Sequence, residues 1–399
     1  MRTTGRTPSS CGRTSKGGRT VPRRILALET SCDETAAAVV ENGERVLANV
    51  VASQIDRHRV FGGVVPEIAA RMHVEAVIAV VDEALRRAGV PLSAIDAVAV
   101  THGPGLVGSL LVGVQVAKGL AFARDVPLIA VHHLAGHIYA NRFVRPLRFP
   151  LVALVVSGGH TEIVYMPEDG AFVPLGGTLD DAVGEAYDKV GRLLGLPYPA
   201  GPHLDRLAQE GTPRFLLPSP RPREGDRYAL SFSGLKTHLR RLLEEAEARG
   251  ETPPAADVAA SFQQAVVAAL REVAAEALRE TGARQLVLAG GVAANRDLRA
   301  ALRALAEEAG VEFVVPPPEL CTDNAAMIGA YADVLYVHGV FADWSLGAAA
   351  DLPLAAASLP GRPTIREAPP GPTRKAAAVI PRFSTEPVDV GDNPGITRG

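Results

Sequence analysis

The chain has 399 residues, of which 47% are hydrophobic and 21% are charged, so it is long enough for two globular domains with sizeable cores. Its three cysteines, Cys11, Cys32 and Cys321, are too few and too scattered for a disulfide framework or a Cys-based zinc site, and they favour a reducing cytosol. The formal net charge of −3 combines seven Arg and Lys in residues 1–24 with a remainder near −10 (34 positive minus 44 negative), which argues against a general nucleic-acid-binding protein.

The two ends of the chain differ in composition from the rest. Residues 1–22 are basic and rich in Gly, Ser and Thr, without an apolar period or the apolar stretch of a secretory signal, and they predict a disordered tail. Residues 351–399 contain nine prolines and no sustained pattern, which predicts a second tail that is disordered or loosely attached.

Strand and helix signals alternate from residue 23 onward. "RILALETS" is an apolar run that ends in a polar turn, and "AAAVVENGERVLANVV" predicts a hairpin with its turn at Asn42 and Gly43. Pro66 opens a helix with apolar residues at the i, i+3, i+4 spacing: Val74, Val77, Ile78, Val81 and Leu85. The strand "AIDAVAVTHGPG", a helix and the strand "PLIAVHH" follow. The apolar stretch "GLVGSLLVGVQVAKGLAFA" contains Gln115 and Lys118 and is rich in glycine, so it predicts a buried loop and helix rather than a membrane span.

A second cycle of elements begins at "PLVALVVSGGHTEIVYM", again a strand, a tight glycine turn and a strand. A long helix near residues 256–280, the strand "RQLVLAGGVAAN", a helix beginning near Ala293, the strand "VEFVVPP" and a last helix from about Asp323 follow. Because the two halves start in the same way, they predict two related α/β domains with a cleft between them, residues 23–150 and residues 151–350.

Two loops that follow strands are candidates for ligand binding. "ETSCDET", residues 29–35, could hold an anion through small polar groups and backbone N–H groups, with a polar hairpin turn as the alternative. "VSGGHT", residues 156–161, would let the backbone approach a ligand closely because glycines follow the strand, with a plain tight turn as the alternative. The same strand–loop–strand arrangement in both halves would suit a phosphate clamp between two domains.

Two further stretches could hold a nucleoside. In "LAGGVAANRDLR", residues 288–299, a helix N-terminus after a Gly-Gly turn favours an anion, and Asn295 can both donate and accept hydrogen bonds. In "GEAYDKVGRLLGLPYPAGP", residues 184–202, Asp188 lies on a helix that leads to the loop at Gly201, and Asp205 lies one turn into the next helix. Both carboxylates could accept from ribose hydroxyls, or they could lie on ordinary helix surfaces.

Three of the ten histidines lie in "VHHLAGHIYA", residues 131–140. His133 and His137 are four residues apart, so on a helix they share one face and could grip one zinc or iron ion. A third ligand is needed, and Asp323 at the predicted start of the last helix is a candidate, with an ordinary N-cap as the alternative. Leu134 follows the first histidine, where H-E-x-x-H metalloproteases need a glutamate.

Ten stretches resemble, in order, the bacterial tRNA N6-adenosine threonylcarbamoyltransferase family (TsaD), formerly described as O-sialoglycoprotein endopeptidases. They cover roughly residues 25–340 and neither tail. The matching stretches are "LALETSCDETAAAVV", "GGVVPEIAARMH", "THGPGLVGSLLVG", "VHHLAGH", "LVVSGGHTEIV", "DDAVGEAYDKVGRLLGLPYPAGP", "SFSGLKT", "SFQQAV", "AGGVAANRDLR" and "CTDNAAMIG".

The resemblance implies an α/β ASKHA (actin-like ATPase) fold of two RNase H-like lobes, with the last helix, near residues 323–339, packed back on the N-terminal lobe. It also implies one divalent metal ion, iron (Fe²⁺) with zinc as the alternative, held by His133, His137 and Asp323. Ala135 stands where relatives often have a glutamate, which is not one of these ligands. The implied substrate-binding positions are Val155, Val156, Ser157, Gly158, Gly159, Asp188, Gly201, Asp205 and Asn295.

The implied reaction transfers the threonylcarbamoyl group from threonylcarbamoyl-adenylate to N6 of adenosine 37, in tRNAs that read codons beginning with A, and releases AMP. An aromatic amine is a weak nucleophile, so the site must stabilise the developing oxyanion and the leaving phosphate, which a metal ion can do as a Lewis acid. Asp33 is the candidate general base. The implied partners are tRNA, threonylcarbamoyl-adenylate, TsaB as a heterodimer partner and the ATPase TsaE, with no membrane and a cytoplasmic location.

Three other functions compete with this interpretation. A metalloprotease lacks its glutamate here. A sugar or acid kinase on the same fold would need a catalytic aspartate but no histidine pair. A non-catalytic nucleotide-binding subunit, such as TsaB, would lack the metal motif. The combination of His133, His137 and Asp323 therefore favours the catalytic member.

Overall fold

Two five-stranded sheets frame the structure, a computed structural model that describes residues 22–222 and 227–365. The first sheet has the order β3-β2-β1-β4-β5. β1 pairs antiparallel with β2 and parallel with β4, which is in turn parallel to β5. Its strands are β1 (Arg24–Glu29), β2 (Glu34–Glu41), β3 (Arg45–Ser53), β4 (Ala97–Gly103) and β5 (Leu128–His132).

The second sheet repeats this pattern, with the order β10-β9-β6-β7-β8. β6 pairs antiparallel with β7 and parallel with β9, which is parallel to β10. Its strands are β6 (Leu151–Val156), β7 (Thr161–Met166), β8 (Val173–Gly177), β9 (Gln285–Ala289) and β10 (Glu312–Val314). The two predicted cycles are therefore two copies of one topology, and the central strands β1 and β6 are apolar runs because both their faces are covered.

Helices cover the faces of both sheets and supply the segments between the parallel strands. They are α1 (Ile55–Arg59), α2 (Pro66–Ala88), α3 (Val107–Arg124), α4 (His133–Tyr139), α5 (Val183–Leu193), α6 (Gly201–Glu210), α7 (Ser233–Ala248), α8 (Ala255–Thr281), α9 (Arg296–Ala309) and α10 (Ala325–Val337). α2 begins at Pro66, as predicted, and ends at Gly89 in the left-handed conformation. α9 begins later than predicted, because residues 291–294 form a 3₁₀ turn and Asn295 caps the helix.

The predicted apolar face of α2 is only half buried. Val77 and Val81 lie in a core with strands of the first sheet, whereas Val74 and Ile78 are 63% and 56% exposed. The i, i+3, i+4 rule selects a wide stripe, and the sheet covers only part of it.

The predicted buried helix in the longest apolar stretch is α3, which packs against α2 and β4. Among the residues that the structure describes, it is the one helix long and apolar enough to cross a membrane, by length and composition only. One such helix is weak evidence, since a core helix passes the same test. Leu110, Val114 and Ala117 of α3 are buried on the face that covers the sheet, whereas Val107, Leu111 and Phe122 are exposed, so the helix is buried on one face only.

The last helix, α10, packs against β1, β2 and β5 of the first sheet and against α4. Close approach is possible because Gly329 has no side chain; a Cβ atom there would lie 2.5 Å from Cγ2 of Val40. Tyr331 of α10 stacks at 4.6 Å on Tyr139 of α4. This packing brings the start of α10 beside α4. The lobe boundaries at residues 150 and 350 stay predictions.

The segment after α10 does not match the predicted tail. Leu354 and Leu359 are buried, with 2% and 3% of their surfaces exposed, and the Tyr331 hydroxyl donates to the Ala357 carbonyl. The prediction of disorder is therefore wrong for residues 351–365, because a single 3₁₀ turn anchored by isolated apolar side chains has no period to detect. Residues 366–399, and residues 1–21 of the predicted basic tail, lie outside the described residues.

Candidate metal centre and ligand cleft

Helix α4 begins directly after β5 and presents two buried histidines. His133 and His137 are 6% and 1% exposed, and their ring centres are 4.7 Å apart. The preceding residue, His132, accepts a hydrogen bond from Leu134 N at 3.2 Å through Nδ1 and so caps the helix. Burial lowers the pKa of His132 to about 3, which keeps its ring neutral. The structure therefore separates one structural histidine from a pair that faces a common point.

Asp323 completes that pair. Its Oδ1 lies 3.1 Å from Nε2 of His137 and 3.5 Å from Nε2 of His133. The N-cap of α10 is Asn324, whose side chain accepts from Met327 N at 3.1 Å, so Asp323 is not an ordinary cap. Ligand atoms of the three residues lie within 4.8 Å of one another. Two imidazoles and a carboxylate in this arrangement are a donor set that suits zinc or iron.

Gly136, between the two histidines, allows α4 and α10 to approach. A Cβ atom there would lie 2.8 Å from Cδ1 of Ile328 and 3.4 Å from Cγ of Met327. A larger residue would therefore separate the helix that carries the histidines from the helix that follows Asp323. The short spacing between the three ligands depends on this contact.

Glu29 is a further carboxylate at the centre, and its side chain is fully buried at the end of β1. Its Oε2 lies 3.0 Å from Nδ1 of His133 and accepts from the Thr101 hydroxyl at 2.6 Å. Its Oε1 accepts from Ser31 N at 2.5 Å. These contacts form because β1, β4 and β5 are parallel neighbours, so residues at their carboxyl ends meet at one edge of the sheet.

The charges of this cluster are strongly coupled. Burial by itself disfavours the charged His133 ring, but the carboxylates of Asp323 and Glu29 outweigh it and raise the pKa of His133 to about 9. Burial likewise opposes ionisation of Asp323, yet His133 and then His137 lower its pKa to about 2. Burial lowers the pKa of His137. The metal-free centre therefore holds a positive charge on His133 between two carboxylates, which is a charge distribution that a divalent cation would match.

The loop with the candidate base lies beside this centre. Asp33 is anchored through its backbone carbonyl, which accepts from Gln54 N at 3.0 Å. Burial, together with the nearby carboxylates of Asp323 and Asp33, raises the pKa of Glu34 to about 10. Glu34 is therefore protonated at neutral pH in the metal-free state and can donate a hydrogen bond, whereas Asp33 stays the predicted base.

The β6 loop offers its backbone rather than its side chains. Val155 and Val156 end β6 with fully buried side chains, so only their peptide groups could contact a ligand. The end of β9 lies close beside them: Gly290 has φ +91°, and a Cβ atom there would collide with the Val156 carbonyl. Only glycine tolerates both the positive φ and the close approach of the Val156 carbonyl. Gly290 therefore lets the loops after β6 and β9 lie side by side and form one wall of the cleft.

Beyond Val156 the loop is open. Ser157 N donates to the His160 carbonyl at 2.8 Å, and Ser157 Oγ accepts from His160 N at 3.1 Å. Gly158 and Gly159 are exposed, and Cβ atoms on them would meet nothing within 4 Å. Gly184 supports the loop from below, because a Cβ atom there would lie 2.7 Å from the Ser157 carbonyl. The predicted tight turn is present, and its two glycines face free space that a phosphate could enter.

His160 connects this loop to the metal centre. Burial, followed by the charges of His133 and His137, lowers the pKa of His160 to about 4, and Asp323 partly opposes this shift. Because the charges of His133, His137 and Asp323 all shift the pKa of His160, the His160 ring lies close to these three residues. The loop after β6 in the second sheet and the helix after β5 in the first sheet therefore border one site.

Asp188 holds the loop before α6. Its Oδ1 accepts from Ala200 N at 2.7 Å, which places Gly201 at the start of α6 with open space around it. Burial raises the pKa of Asp188. Burial also raises the pKa of Tyr198 in the same loop, followed by the charges of Asp33 and Asp188. Tyr198 thus lies near carboxylates from both halves of the chain.

Asn295 and Asp205 belong to a buried polar network. Nδ2 of Asn295 donates to Asp205 Oδ1 at 3.0 Å and to Gln263 Oε1 at 2.9 Å, and it lies 3.3 Å from the Tyr187 hydroxyl. Its Oδ1 accepts from Leu298 N at 2.9 Å and caps α9. Every polar atom of the Asn295 side chain is therefore engaged within the protein, and the network fixes where α5, α6, α8 and α9 meet.

Comparisons with known proteins agree with the motifs. A family model described as "TsaD: tRNA N6-adenosine threonylcarbamoyltransferase" matches residues 45–330. A protein of that name from Geobacillus thermodenitrificans (strain NG80-2) is 59% identical over 331 residues, which are 83% of this chain and 96% of the relative. One from Bacillus subtilis (strain 168) is 55% identical over 317 residues, 79% of this chain and 91% of the relative. The chain belongs to the TsaD family.

The solved structures extend the likeness to the fold. The crystal structure of HypF from T. kodakarensis aligns with a TM-score of 0.56 at 17% identity, over 82% of this chain and 51% of that one. Full-length HypF, in a phosphate- and nucleotide-bound form, aligns with a TM-score of 0.53 at 16% identity, over 80% and 47%. Together with the two sheets of identical order, this confirms the predicted ASKHA fold.

Membership of the TsaD family confirms the predicted activity. The chain is a transferase that forms threonylcarbamoyladenosine in tRNA, and its substrates are tRNA and threonylcarbamoyl-adenylate. The TsaD family is metal-dependent, and this chain has a cluster of His133, His137 and Asp323 that could hold the ion.

Sequence reasoning missed three residues of the TsaD cleft. Glu29 and His160 stood in loops that were singled out for other residues, and Gln263 stood in the matched stretch "SFQQAV" without a role. Gln263 uses both ends of its amide in the network with Asp205 and Asn295. None of the three has a spacing that marks it, because each acts through a partner far away in the chain.

Proposed function

We propose that the transfer takes place at the centre formed by His133, His137 and Asp323, with iron (Fe²⁺) as the native metal and zinc as the alternative. The observation that carries the proposal is the convergence of the three ligand atoms within 4.8 Å in a buried site. A metal ion held there would supply Lewis acidity for the phosphate and the developing oxyanion.

The loops of both halves bind and orient the adenylate in this proposal. The backbone N–H groups of Gly158 and Gly159 receive the phosphate, because a Cβ atom on either glycine would meet only open space. The Ser157 N–H already donates to the His160 carbonyl and holds the turn, and Val155 and Val156 contribute only peptide groups. Anions bind well to such glycine-rich turns because the N–H groups approach without side chains in the way.

The nucleoside of the adenylate lies against α5, α6 and the turn before α9. Asp188 shapes the loop at Gly201, whose open surroundings leave room for a ribose. Asp205 and Asn295 hold the wall of this subsite through their buried network, since their hydrogen bonds are already made within the protein.

Asp33 removes the proton from the N6 amine of adenosine as that nitrogen attacks the carbamoyl carbon. The bond between the carbamoyl carbon and the phosphate oxygen then breaks, and AMP leaves. Asp33 suits the role because its charge acts on Tyr198, and Asp323 acts on the neighbouring Glu34, so the loop of Asp33 lies near both the metal centre and Tyr198.

TsaB as heterodimer partner, the ATPase TsaE and a cytoplasmic location complete the proposal. A surface for TsaB is available on α2 and α3, which pack together and carry exposed apolar side chains one turn apart: Val74 and Ile78 on α2, Val107 and Leu111 on α3. Exposed apolar side chains on two packed helices favour a protein interface there. Replacing Ile78 with Asp should abolish co-elution with TsaB in gel filtration, and normal co-elution would exclude this surface.

The decisive experiment measures transfer from labelled threonylcarbamoyl-adenylate to tRNA, together with bound metal. His133→Ala should lose both the transfer activity and the bound metal. The matched control His238→Ala, which alters an exposed histidine on α7, should keep both. Full metal content in His133→Ala or in His137→Ala would refute the proposed centre.

A further inference from the structure

The buried carboxylate of Glu29 carries an inference that rests on the proposed metal centre and deepens it. Three groups hold this carboxylate: Ser31 N at 2.5 Å, the Thr101 hydroxyl at 2.6 Å and Nδ1 of His133 at 3.0 Å. The Ser31 hydroxyl lies 3.2 Å from the same Nδ1. Because the Glu29 side chain has no exposed surface, its carboxylate can influence only the groups that it contacts inside the protein.

We propose that Glu29 is the positioning residue of the metal centre, which orients His133 so that its Nε2 lone pair points at the metal ion. When Nδ1–H donates to a carboxylate, the other ring nitrogen is left as the metal ligand. Nε2 of His133 indeed faces Asp323, at 3.5 Å from Oδ1. The carboxylate also makes the ring a better donor to a metal.

The two histidines differ in the hydrogen-bond partner of their Nδ1 atom. Nδ1 of His137 is buried and has no hydrogen-bond partner within the described residues, whereas Nδ1 of His133 has Glu29. The His137 ring is contacted at Nε2 alone, by Asp323 at 3.1 Å, while the His133 ring has a carboxylate neighbour at both nitrogens. Glu29 therefore orients one of the two imidazole ligands, and the strand that carries it links the metal to the loop of residues 29–35.

Glutamine at position 29 would reverse this arrangement. The Ser31 backbone N–H cannot turn away and needs an acceptor, so the amide oxygen of Gln must face it. The amide NH₂ then faces Nδ1 of His133 and donates to it. The ring proton is forced to Nε2, which blocks the atom that should bind metal.

The test is zinc binding to metal-free full-length protein, measured by competition with a chromogenic chelator at constant pH. Glu29→Gln should bind zinc about 10 to 100 times more weakly than the wild type. The matched control is Glu41→Gln, which alters a partly buried glutamate of β2 that pairs with Arg24 and should leave zinc affinity unchanged. Circular dichroism verifies that each variant is folded.

A second readout reports geometry. Zinc X-ray absorption of the loaded protein should show two imidazole nitrogens at about 2.0–2.1 Å in the wild type and one in Glu29→Gln. A merely structural role for Glu29 would lower the unfolding temperature without changing this number. If Glu29→Gln does not fold, Thr101→Val removes one donor to the carboxylate and should weaken zinc binding by a smaller factor.

The outcomes separate this inference from the proposed centre. Loss of zinc in His133→Ala, with affinity in folded Glu29→Gln and Thr101→Val within twofold of the wild type, overturns the role of Glu29 alone. Unchanged affinity in His133→Ala overturns the centre itself. Weak binding with one imidazole in Glu29→Gln supports both.

Discussion

The affinity of this protein for a divalent metal should rise steeply with pH. In the metal-free state the carboxylates of Asp323 and Glu29 raise the pKa of His133 to about 9 against the opposing effect of burial. The ring must lose one proton before Nε2 can bind a metal ion. Metal and proton therefore compete for His133 at every pH below that value.

The size of the effect follows from the two pH units between 7 and 9. At pH 7 about one ring in 100 is deprotonated, so the apparent association constant lies about 100-fold below its plateau, a difference of about 2.7 kcal/mol. It should climb about tenfold per pH unit from 7 to 8.5 and level off above 9. An ordinary histidine, with a pKa near 6.5, would already be on its plateau at pH 7.5.

Chelator competition with zinc at constant ionic strength, at four pH values from 7.0 to 8.5, measures this slope once the chelator's own titration is subtracted. His137→Ala should lower the whole curve but keep its slope, since His133 still carries the proton. A change of less than threefold between pH 7.0 and 8.5 in the wild type would refute the charge arrangement derived for the centre.

Three substitutions and a pH titration test other parts of the structure. Asp33→Asn should abolish transfer while leaving bound metal normal, and full activity would exclude Asp33 as the base. Asn295→Ala removes the cap of α9, which costs about 0.5–2 kcal/mol, and leaves buried partners unpaired, so the urea midpoint of unfolding should fall clearly. Leu354→Ala should cost about 2–5 kcal/mol of unfolding free energy because the side chain lies in the core; a loss below about 0.5 kcal/mol would show that residues 351–365 are not packed. The metal-free protein should also lose stability as the pH rises from 6.5 through 9, because the folded state keeps a proton on His133 that the unfolded chain has already released; a flat stability profile over this range would contradict it.

Much of the fold could be predicted because its signals are local. An apolar run that ends in a polar turn marked β1, runs that end in glycine turns marked β6 and β9, and Pro66 marked the start of α2. The histidine pair was visible because four residues span one helical turn. The packed segment at Leu354 left no such mark, since one 3₁₀ turn is shorter than any period that could reveal it.

For the site, too, features that depend on neighbouring residues could be predicted from the sequence, whereas most contacts between distant residues could not. By itself the sequence determined that two related α/β halves exist, that His133 and His137 share a helical face, and that glycines open the loop at Gly158. These properties depend on neighbours along the chain, which the order of residues states directly.

The sequence already offered Asp323 as the third ligand, but only the tertiary structure added Glu29 and decided how both carboxylates reach the histidines. Glu29 is 104 residues from His133 in the chain, and Asp323 is 186 residues from His137. Glu29 arrives because β1, β4 and β5 align their carboxyl ends, and Asp323 because Gly136 lets α10 pack closely on α4. Burial then couples their charges, since at such short distances in a low-dielectric interior each group determines whether the next is ionised.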